Sequence, residues 1–458
     1  MASKFQLVGY MWAAVLLAGC NGGGDVNGSG GGSGAGGKSD LVLTVSVTGN
    51  GRITDSAGTI KCGAGSTVCS GSYATGASVA LTAAANSGYA FAGWDGDCAS
   101  AGSSLTVSVT MSTAHHCTAT FAALGGGGSS GSFKHPGILV SQAQLDYIKA
   151  AVAAQQQPFY DAYQKATSSS KTTAIGSLNY HVQGPPAGGI IDCGPYSNPD
   201  TGCSAADKDT AAAYLQALLW YITGDPTYAS NAIEILNAYA YNLKGYTNSN
   251  APLQAAWDAQ KLPRAAEIIR YTNAGWADSD ITQFKNMLNT VVRPQLINGS
   301  GSNGNWEISM IEGLMNIGVF NDDRATFDQG VTYWKQRIPA YFYYHTDGSS
   351  PVPLPRGAKY TTWYGQTVFD DRVDGISQET CRDFGHTQYG LAGALDAAET
   401  AHIQDVDLYN DTESNAMLRL TSALEFHAKY LLAYNQDNGY KIPEYICNGV
   451  VDFSSLKP

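Results

Sequence analysis

The spacing of hydrophobic residues changes along the chain, and the change predicts two folded parts of different class. In residues 41–122, short runs such as LVLTVSV largely alternate between apolar and polar positions, as strands with one buried face do. Gly, Ser and Asn separate these runs, which predicts a small all-β module. In residues 133–458, apolar residues instead recur near i, i+3, i+4 and i+7, the pattern of amphipathic helices.

Seven or more such helices in antiparallel pairs predict an α/α toroid, an incomplete barrel, so the chain as a whole is mainly α. One helix boundary is marked by Gly224 before Asp225-Pro226, a helix end followed by a new cap. Two connections, residues 180–209 and 346–378, are long and rich in Gly, Pro or aromatic residues. Connections of this length in a compact domain commonly form lids or clefts.

The first forty residues are predicted to be a targeting segment and a tether rather than part of a fold. Lys4 precedes a short apolar run that ends Leu17-Ala18-Gly19-Cys20, which resembles the lipobox of bacterial lipoproteins. The resemblance implies cleavage before Cys20 and lipidation of its sulfur; a plain secretory signal is the alternative. We therefore divide the chain into a signal peptide (1–19), a tether (20–40), the β module (41–123), a linker (124–132) and the helical domain (133–458). The predicted location is the bacterial cell envelope, lipid-anchored, or outside the cell.

Composition narrows the classes of partner. The 458 residues carry a net charge of −12 and only 14 % charged residues, with 53 glycines and 27 tyrosines. This balance argues against nucleic acid, and against a membrane contact other than a lipid anchor. It leaves an acidic substrate open, because a local cluster of Arg and His overrides the global charge at short range. We expect a monomer.

Eight cysteines remain after Cys20, an even number that predicts disulfides in an oxidising compartment. No CxxC pair or zinc-like histidine spacing occurs, so we expect no metal and no cofactor. In the β module the expected bridges are Cys62–Cys69 and Cys98–Cys117, although four cysteines permit three pairings. In the helical domain we expect Cys193–Cys203 and Cys381–Cys447; free buried thiols are the alternative for the last pair.

The stretch QETCRDFGHTQYGLAGALDAA, residues 378–398, carries the densest candidate chemistry. Read as one helix, it places Arg382, His386 and Tyr389 at i, i+4 and i+7, on a single face. The small residues around them predict burial, and a buried Arg needs a partner. That partner is either a structural acid, Glu379 or Asp383, or an anionic ligand. His386 could equally be a satisfied core histidine.

The β module is similar to the divergent internalin-B-type repeat of bacterial surface proteins. The resemblance is carried by the order of strands and cysteine loops and by Phe91-Ala92-Gly93-Trp94. It implies a spacer or adhesion module without chemistry of its own. Trp94 is expected in the core, with stacking on a sugar as the alternative.

The helical domain resembles the alginate lyase superfamily of polysaccharide lyases, including families five and thirty-eight. The resemblance is carried by HPGILVSQAQLDYIK, by Asn305-Trp306 and by Glu379, Arg382, His386 and Tyr389. It implies that Arg382 and Tyr389 are active-site groups and that Asn305 neutralises a substrate carboxylate. Trp306 stands where family five has a His, so the base is either His386 or Tyr389, the latter acting as both base and acid in a syn elimination.

The implied activity is β-elimination on a β-1,4-linked polyuronate, alginate (polymannuronate) first and glucuronan second, which leaves 4,5-unsaturated uronate ends. The long loops and neighbouring positions add candidate contacts to an anionic polysaccharide. These are Trp306, Arg356, Tyr360, Trp363, Tyr364, His181, His345 and Glu379. Several have plainer readings: the aromatic residues could be core, Arg356 a solvated charge, and Asn305 a helix N-cap.

Two other functions stay open. A glycoside hydrolase also uses the toroid and needs two facing carboxylates, for which Asp258 and Asp383 are the candidates. A non-catalytic surface lipoprotein could hold glycan with both domains.

Overall fold

The computed structural model describes residues 40–63, 66–85, 89–102, 104–123, 132–168, 174–302, 304–355, 360–435 and 441–453. The predicted signal peptide, Cys20, most of the tether and linker, and Arg356 lie outside these ranges. The described residues form two compact units, residues 40–123 and 132–453. None of the helices in the described part of the chain has the length and apolar character that a membrane crossing needs.

The N-terminal unit is built from nine strands in two sheets. The strands are β1 Asp40–Thr48, β2 Gly51–Asp55, β3 Lys61–Gly63, β4 Ser66–Val68, β5 Ser70–Ala74, β6 Ser78–Ala85, β7 Tyr89–Gly96, β8 Thr106–Thr110 and β9 His115–Ala123. The strand orders among these described residues are β5-β1-β9-β7 and β4-β3-β2-β6-β8. Strands β1 and β9 run parallel, and the other pairs are antiparallel.

The alternation read from the sequence sets the core of this unit. Leu43 and Val45 of β1 point inward while Thr44 and Ser46 stay on the outer face. Trp94 is only 5 % exposed, and its indole N–H donates to the Ser104 carbonyl at 2.8 Å. Trp94 is therefore a core residue, and it is not available to stack on a sugar. Both predicted bridges of the module, Cys62–Cys69 and Cys98–Cys117, are formed.

The C-terminal unit is helical, with a small sheet inserted near its beginning. Its helices are α1 Gln142–Ala153, α2 Phe159–Ser168, α3 Cys203–Thr223, α4 Pro226–Asn242, α5 Ala251–Tyr271, α6 Asp278–Met287, α7 Arg293–Leu296, α8 Gly304–Asn321, α9 Arg324–Tyr341, α10 Phe384–Ile403 and α11 Ala416–Asn435. The sheet has the order β11-β10-β12, with β10 Ile190–Cys193, β11 Asp200–Thr201 and β12 Gly245–Thr247.

Four of these helices form an inner layer. Helices α3, α5, α8 and α10 pack side by side in that order, with α4 against α3 and α9 against α8. Helix α8 is buried along almost its whole length, as an inner helix covered on several sides must be. Gly224 ends α3 with φ of 76°, and the Asp225 side chain caps α4, as predicted. The predicted fold, an incomplete α/α toroid with a small all-β module, is confirmed.

The first long connection is pinned to the toroid by a buried carboxylate. Asp209 of α3 accepts from the Tyr180 and Tyr239 hydroxyls at 2.7 and 3.1 Å, and from the Gly184 backbone N–H at 2.8 Å. The predicted Cys193–Cys203 bridge ties β10 to the first residue of α3. This connection therefore contains ordered structure that stands at the amino end of α3.

Candidate active site

The stretch predicted as one helix is a turn followed by a helix. Residues 378–382 form the turn, in which the Arg382 N–H donates to the Glu379 carbonyl at 2.9 Å. Helix α10 begins only at Phe384, because Asp383 adopts an extended conformation and its side chain caps the His386 N–H at 2.9 Å. The prediction that Arg382 shares a helix with His386 and Tyr389 is therefore wrong.

Glu379 is the centre of the site. Its carboxylate has no exposed surface and accepts from Asn305 Nδ2 at 2.6 and 2.7 Å, Asn305 N at 3.0 Å, Tyr341 Oη at 3.1 Å and Arg382 Nη1 at 2.9 Å. Its neighbour Gln378 accepts from the Gly304 N–H at 3.0 Å. The turn thus binds the first amides of α8, where a negative charge is favourable.

This network settles what Asn305 and Glu379 do locally. Asn305 is the second residue of α8, and its amide donates to Glu379, so its side chain does not act as a helix N-cap. Glu379 was expected to contact substrate, but a fully buried carboxylate cannot. Its contacts make it the group that positions Asn305 and Arg382. It is also the structural acid expected as the partner of Arg382, although the Arg382 side chain is 26 % exposed and not buried as predicted.

Tyr341, the last residue of α9, holds three elements together. Burial and the negative charge of Glu379 raise the pKa of Tyr341 well above its ordinary value, so its hydroxyl stays a proton donor to Glu379. Two glycines allow its ring to fit: a Cβ at Gly304 would lie 1.8 Å from the ring, and one at Gly390 would lie 2.2 Å from its oxygen. Helices α8 and α10 can approach Tyr341 only because both positions lack a side chain.

Replacing Gly390 by Ala is expected to destabilise the domain by about 1–3 kcal/mol and to lower kcat, since the new methyl group forces α10 away from Tyr341 beside Tyr389. Thermal unfolding and steady-state kinetics would measure both effects. Ala150→Gly, on the exposed side of α1, is the control and should cost roughly 1 kcal/mol with kcat unchanged. An unchanged melting temperature for Gly390→Ala would contradict the close approach.

His386 and Asp383 form a hydrogen-bonded pair at the start of α10. The His386 Nδ1 lies 2.5 Å from Asp383 Oδ2. Burial opposes ionisation of Asp383, but its hydrogen bonds from His386 prevail and hold its pKa below the ordinary value. An ionised carboxylate accepts the Nδ1 proton, so in the neutral form of the ring Nε2 of His386 is the acceptor nitrogen. His386 is thus an oriented imidazole with about a third of its side chain exposed, rather than a core histidine.

Tyr389 lies one turn further along the same face and is 44 % exposed. Its ring is 6.3 Å from that of Trp257, on α5, at an interplanar angle of 35°. Trp257, Gln260 and Lys261 are the half-exposed positions on this part of α5. Two inner helices therefore bring partly exposed aromatic rings close together. Sequence reasoning missed Trp257, because a single Trp in an amphipathic helix is not distinguishable from a core residue.

The second long connection, residues 346–378, lies beside Arg382. The Tyr364 ring centre lies 5.8 Å from the Arg382 guanidinium, with Tyr364 held at φ of 52°. The Tyr360 side chain is 57 % exposed, and its carbonyl accepts from Gln378 Nε2 at 3.0 Å. Trp363 packs edge-on against Phe369 at 5.2 Å and belongs to a small core beneath the loop, so the plainer reading fits it better.

The remaining candidates are dispersed. His181 is exposed and lines a shallow depression with Tyr180, Gln183 and Lys208. His345 is engaged by Asp374, at 2.7 Å from its Nδ1. Trp306 is half-buried beside Asn305.

The two acids considered for a hydrolase have separate structural roles. Asp258 is fully buried and accepts from Tyr246 Oη at 2.9 Å and Gln254 Nε2 at 3.0 Å, and burial raises its pKa to about 7. Asp383 caps α10 and binds His386. A carboxylate without exposed surface cannot flank a scissile glycosidic bond, so this pair does not meet the requirement of a hydrolase.

The fourth predicted bridge, Cys381–Cys447, is formed and clamps the turn to the C-terminal segment. Gln366 reinforces the clamp, because its Oε1 accepts from the Cys447 N–H at 2.9 Å and its Nε2 donates to the Tyr445 carbonyl at 2.9 Å. The Phe384 N–H donates to the Asp452 carbonyl at 3.0 Å. The residues from Cys381 to Phe384 are therefore held against the C-terminal segment by a disulfide and by a backbone hydrogen bond.

Comparison with known protein families assigns the helical domain to one of them. The family described as alginate lyase matches residues 149–438, more than half of the chain and all of the elements from α3 to α11. The chain belongs to the alginate lyase family. It is therefore a polysaccharide lyase by family, as the sequence resemblance implied. Residues 41–125 match the divergent InlB B-repeat domain, which confirms the resemblance stated for the β module.

Solved structures of alginate lyases are similar to this family member at low identity. Alginate lyase A1-III from Sphingomonas species A1 shares 17 % identity, with 68 % of this chain and 83 % of that chain covered and a TM-score of 0.49. A variant of A1-III in complex with a tetrasaccharide shares 16 %, over 67 % and 81 %, with a TM-score of 0.48. An alginate lyase from Bacteroides ovatus shares 14 %, over 68 % and 88 %, with a TM-score of 0.41. Among curated proteins, no relative matches this chain.

Proposed function

We propose that the helical domain cleaves a β-1,4-linked polyuronate, alginate or glucuronan, by β-elimination and leaves a 4,5-unsaturated uronate at the new end. The observation that carries the proposal is the network around Glu379. It places Asn305 and Arg382 together at the start of α8 and beside the start of α10, with His386 and Tyr389 on the next turns of α10.

The reaction requires neutralisation of charge before it requires anything else. A uronate loses its C5 proton next to its own carboxylate, so a second negative charge develops beside the first. Within the described residues, Arg382 donates only through Nη1 and its backbone, and 26 % of its side chain is exposed. The rest of its guanidinium fork can therefore receive the substrate carboxylate. Asn305 is 3 % exposed and its amide donates to Glu379, so we assign it to holding Glu379 and, through it, Arg382.

Proton transfer is assigned to the exposed face of α10. His386 is the base: Asp383 orients its ring through Nδ1, and Nε2 takes the C5 proton. Tyr389 is the acid: its exposed hydroxyl protonates the departing O4. The Trp257 ring lies beside Tyr389 and the Tyr364 ring beside Arg382, and we assign both rings to stacking on the pyranoses. Every step uses side chains of this chain, and the new C4–C5 double bond takes up the electrons of the C5–H bond as the C4–O4 bond breaks.

The test is ultraviolet absorbance of purified protein with polymannuronate, polyguluronate and glucuronan separately, alongside a reducing-end assay. Elimination produces a conjugated double bond that absorbs, whereas hydrolysis produces reducing ends without absorbance. A rise with at least one polymer is expected. Reducing ends without absorbance would move the protein to the hydrolases, and neither signal with any of the three would leave a binding role.

We further propose that the chain is exported, anchored through a lipid on Cys20 and active as a monomer. The lipobox-like Leu17-Ala18-Gly19-Cys20 and the four disulfides support export to an oxidising compartment. Mass spectrometry of the N-terminal peptide from expressing cells would test the anchor. An unmodified Cys20, or cleavage at another position, would contradict it.

A further inference from the structure

A buried histidine lies outside the groups assigned to the reaction, directly behind the turn that carries them. His427, on α11, is 6 % exposed. Its Nδ1 lies 2.7 Å from the Ala423 carbonyl, which can only accept, so Nδ1 carries the proton. Its Nε2 is then an acceptor, and it lies 2.8 Å from the hydroxyl oxygen of Thr380. Thr380 is the residue that follows Glu379.

The Thr380 hydroxyl continues into a buried chain of hydroxyl groups. It accepts from the Ser377 N–H at 2.9 Å and lies 3.0 Å from Ser377 Oγ, which lies 3.1 Å from the Thr387 hydroxyl. Because Thr380 gives its only hydroxyl proton to His427, Ser377 must donate to Thr380. The chain joins α11, the turn and α10, and it fixes the backbone that positions Glu379 and Arg382.

The surroundings of the ring favour its neutral form. Phe384 and Phe426 lie against it, with ring centres at 5.3 and 5.1 Å. Among the described residues, no charged side chain bonds to the imidazole, whose nitrogens contact the Thr380 hydroxyl and the Ala423 carbonyl. The charged or titratable residues within a few positions of these contacts, on the turn, the start of α10, the neighbouring turn of α11 and the C-terminal segment, are Glu379, Arg382, Asp383, His386, Glu425, Lys429 and Asp452.

We propose that His427 is a positioning residue for the lyase reaction, whose neutral ring accepts the Thr380 hydroxyl and so holds the turn that presents Glu379 and Arg382. The inference rests on the proposed function for its kinetic consequence, but the contact it names is independent of the reaction. It makes α11, a helix that contributes no group to the chemistry, a determinant of kcat.

The same contact gives the site an acid limit. Burial lowers the pKa of His427 to about 4, below its ordinary 6.5. The unfolded chain therefore binds the proton first, so the stability from the neutral ring is present above pH 6.5 and is lost as the pH falls toward 4. A protonated ring would donate from Nε2 to the Thr380 hydroxyl and reverse the order of donors in the chain.

Four variants test the contact at neutral pH. His427→Leu and Thr380→Val each remove one side of it and should lower kcat by at least about tenfold with little change in KM, since small misplacements of catalytic groups are costly. Thr380→Ser keeps the hydroxyl and should restore kcat. The double variant should lose no more than either single one, because both remove the same interaction. His402→Gln, on the exposed last turn of α10, is the control.

Hydrogen exchange of the backbone amides of residues 376–383 gives a readout that does not depend on activity. Exchange should accelerate in His427→Leu and in Thr380→Val, but not in His402→Gln. In the wild type it should accelerate reversibly as the pH falls toward 4, after correction for intrinsic exchange, and His427→Gln should lose that extra dependence. Unchanged exchange, or additive losses in kcat, would overturn the proposal. If hydrogen exchange changes as expected but the wild type shows no elimination activity, only the proposed function is overturned.

Discussion

Replacing Tyr389 by Phe is expected to lower kcat for elimination by about 10²–10⁴-fold, the range that loss of a general acid produces. The change removes one oxygen from a side chain that is 44 % exposed, and it leaves the ring beside Trp257 in place. Stability should change by less than about 0.5 kcal/mol, as for other surface substitutions. The measurement is the initial rate of ultraviolet absorbance on whichever polyuronate the wild type cleaves, with thermal unfolding in parallel.

A substrate with a better leaving group separates acid from base. On a uronate that carries an aryl ether at C4, departure of the oxygen needs little protonation, so Tyr389→Phe should recover most of its rate. His386→Gln should stay slow on both substrates, because the C5 proton must still be removed. Equal defects of Tyr389→Phe on both substrates would assign the base role to Tyr389. Tyr434→Phe, half-exposed on α11, is the matched control and should be active.

Replacing Glu379 by Gln is expected to cost both activity and folding stability. The carboxylate accepts bonds from Asn305, Tyr341 and Arg382, and an amide of the same shape turns one acceptor atom into a donor that faces other donors. Removing the negative charge also leaves Arg382 without its buried partner. We expect about 3 kcal/mol of lost stability and a decrease in kcat of at least about 10²-fold.

Chemical denaturation and steady-state kinetics would check the two effects separately. Glu425→Gln makes the same change on the exposed face of α11 and should alter neither. A Glu379→Gln variant with wild-type stability would contradict the buried ionic network. A Glu379→Gln variant that is less stable, yet fully active at denaturant concentrations below its unfolding transition, would contradict the positioning role of Glu379.

Local patterns in the sequence were sufficient to predict the class of fold and the disulfide pairings. The change from alternating to helical periodicity near residue 133 predicted an all-β part and a helical part, because each period follows from backbone geometry. The pairings of the eight cysteines in the two domains were predicted correctly. Gly224 and Asp225-Pro226 marked a helix boundary because their conformational preferences are local.

Asn305, Arg382, His386 and Tyr389 were named from the sequence as site candidates through their resemblance to a family, and their catalytic roles stay predictions. What only the tertiary structure decided is how they are held. Asn305 and Glu379 are 74 residues apart in the chain, and no periodicity links the residues of such a pair.

The helix was predicted to run through Arg382 because its apolar spacing continues there, yet tertiary contacts set its start at Phe384. The Glu379 carboxylate is buried at the amino end of α8, and residues 378–382, which include Glu379, form a turn there instead of the first turn of α10. Tertiary packing also brings Trp257 of α5 beside Tyr389 and His427 of α11 beside Thr380, contacts that no local pattern in the sequence indicates. The sequence alone supplied the candidates for the chemistry. Long-range packing decided which of them meet, and it buried Glu379 and Asn305 while Arg382, His386 and Tyr389 stay partly exposed.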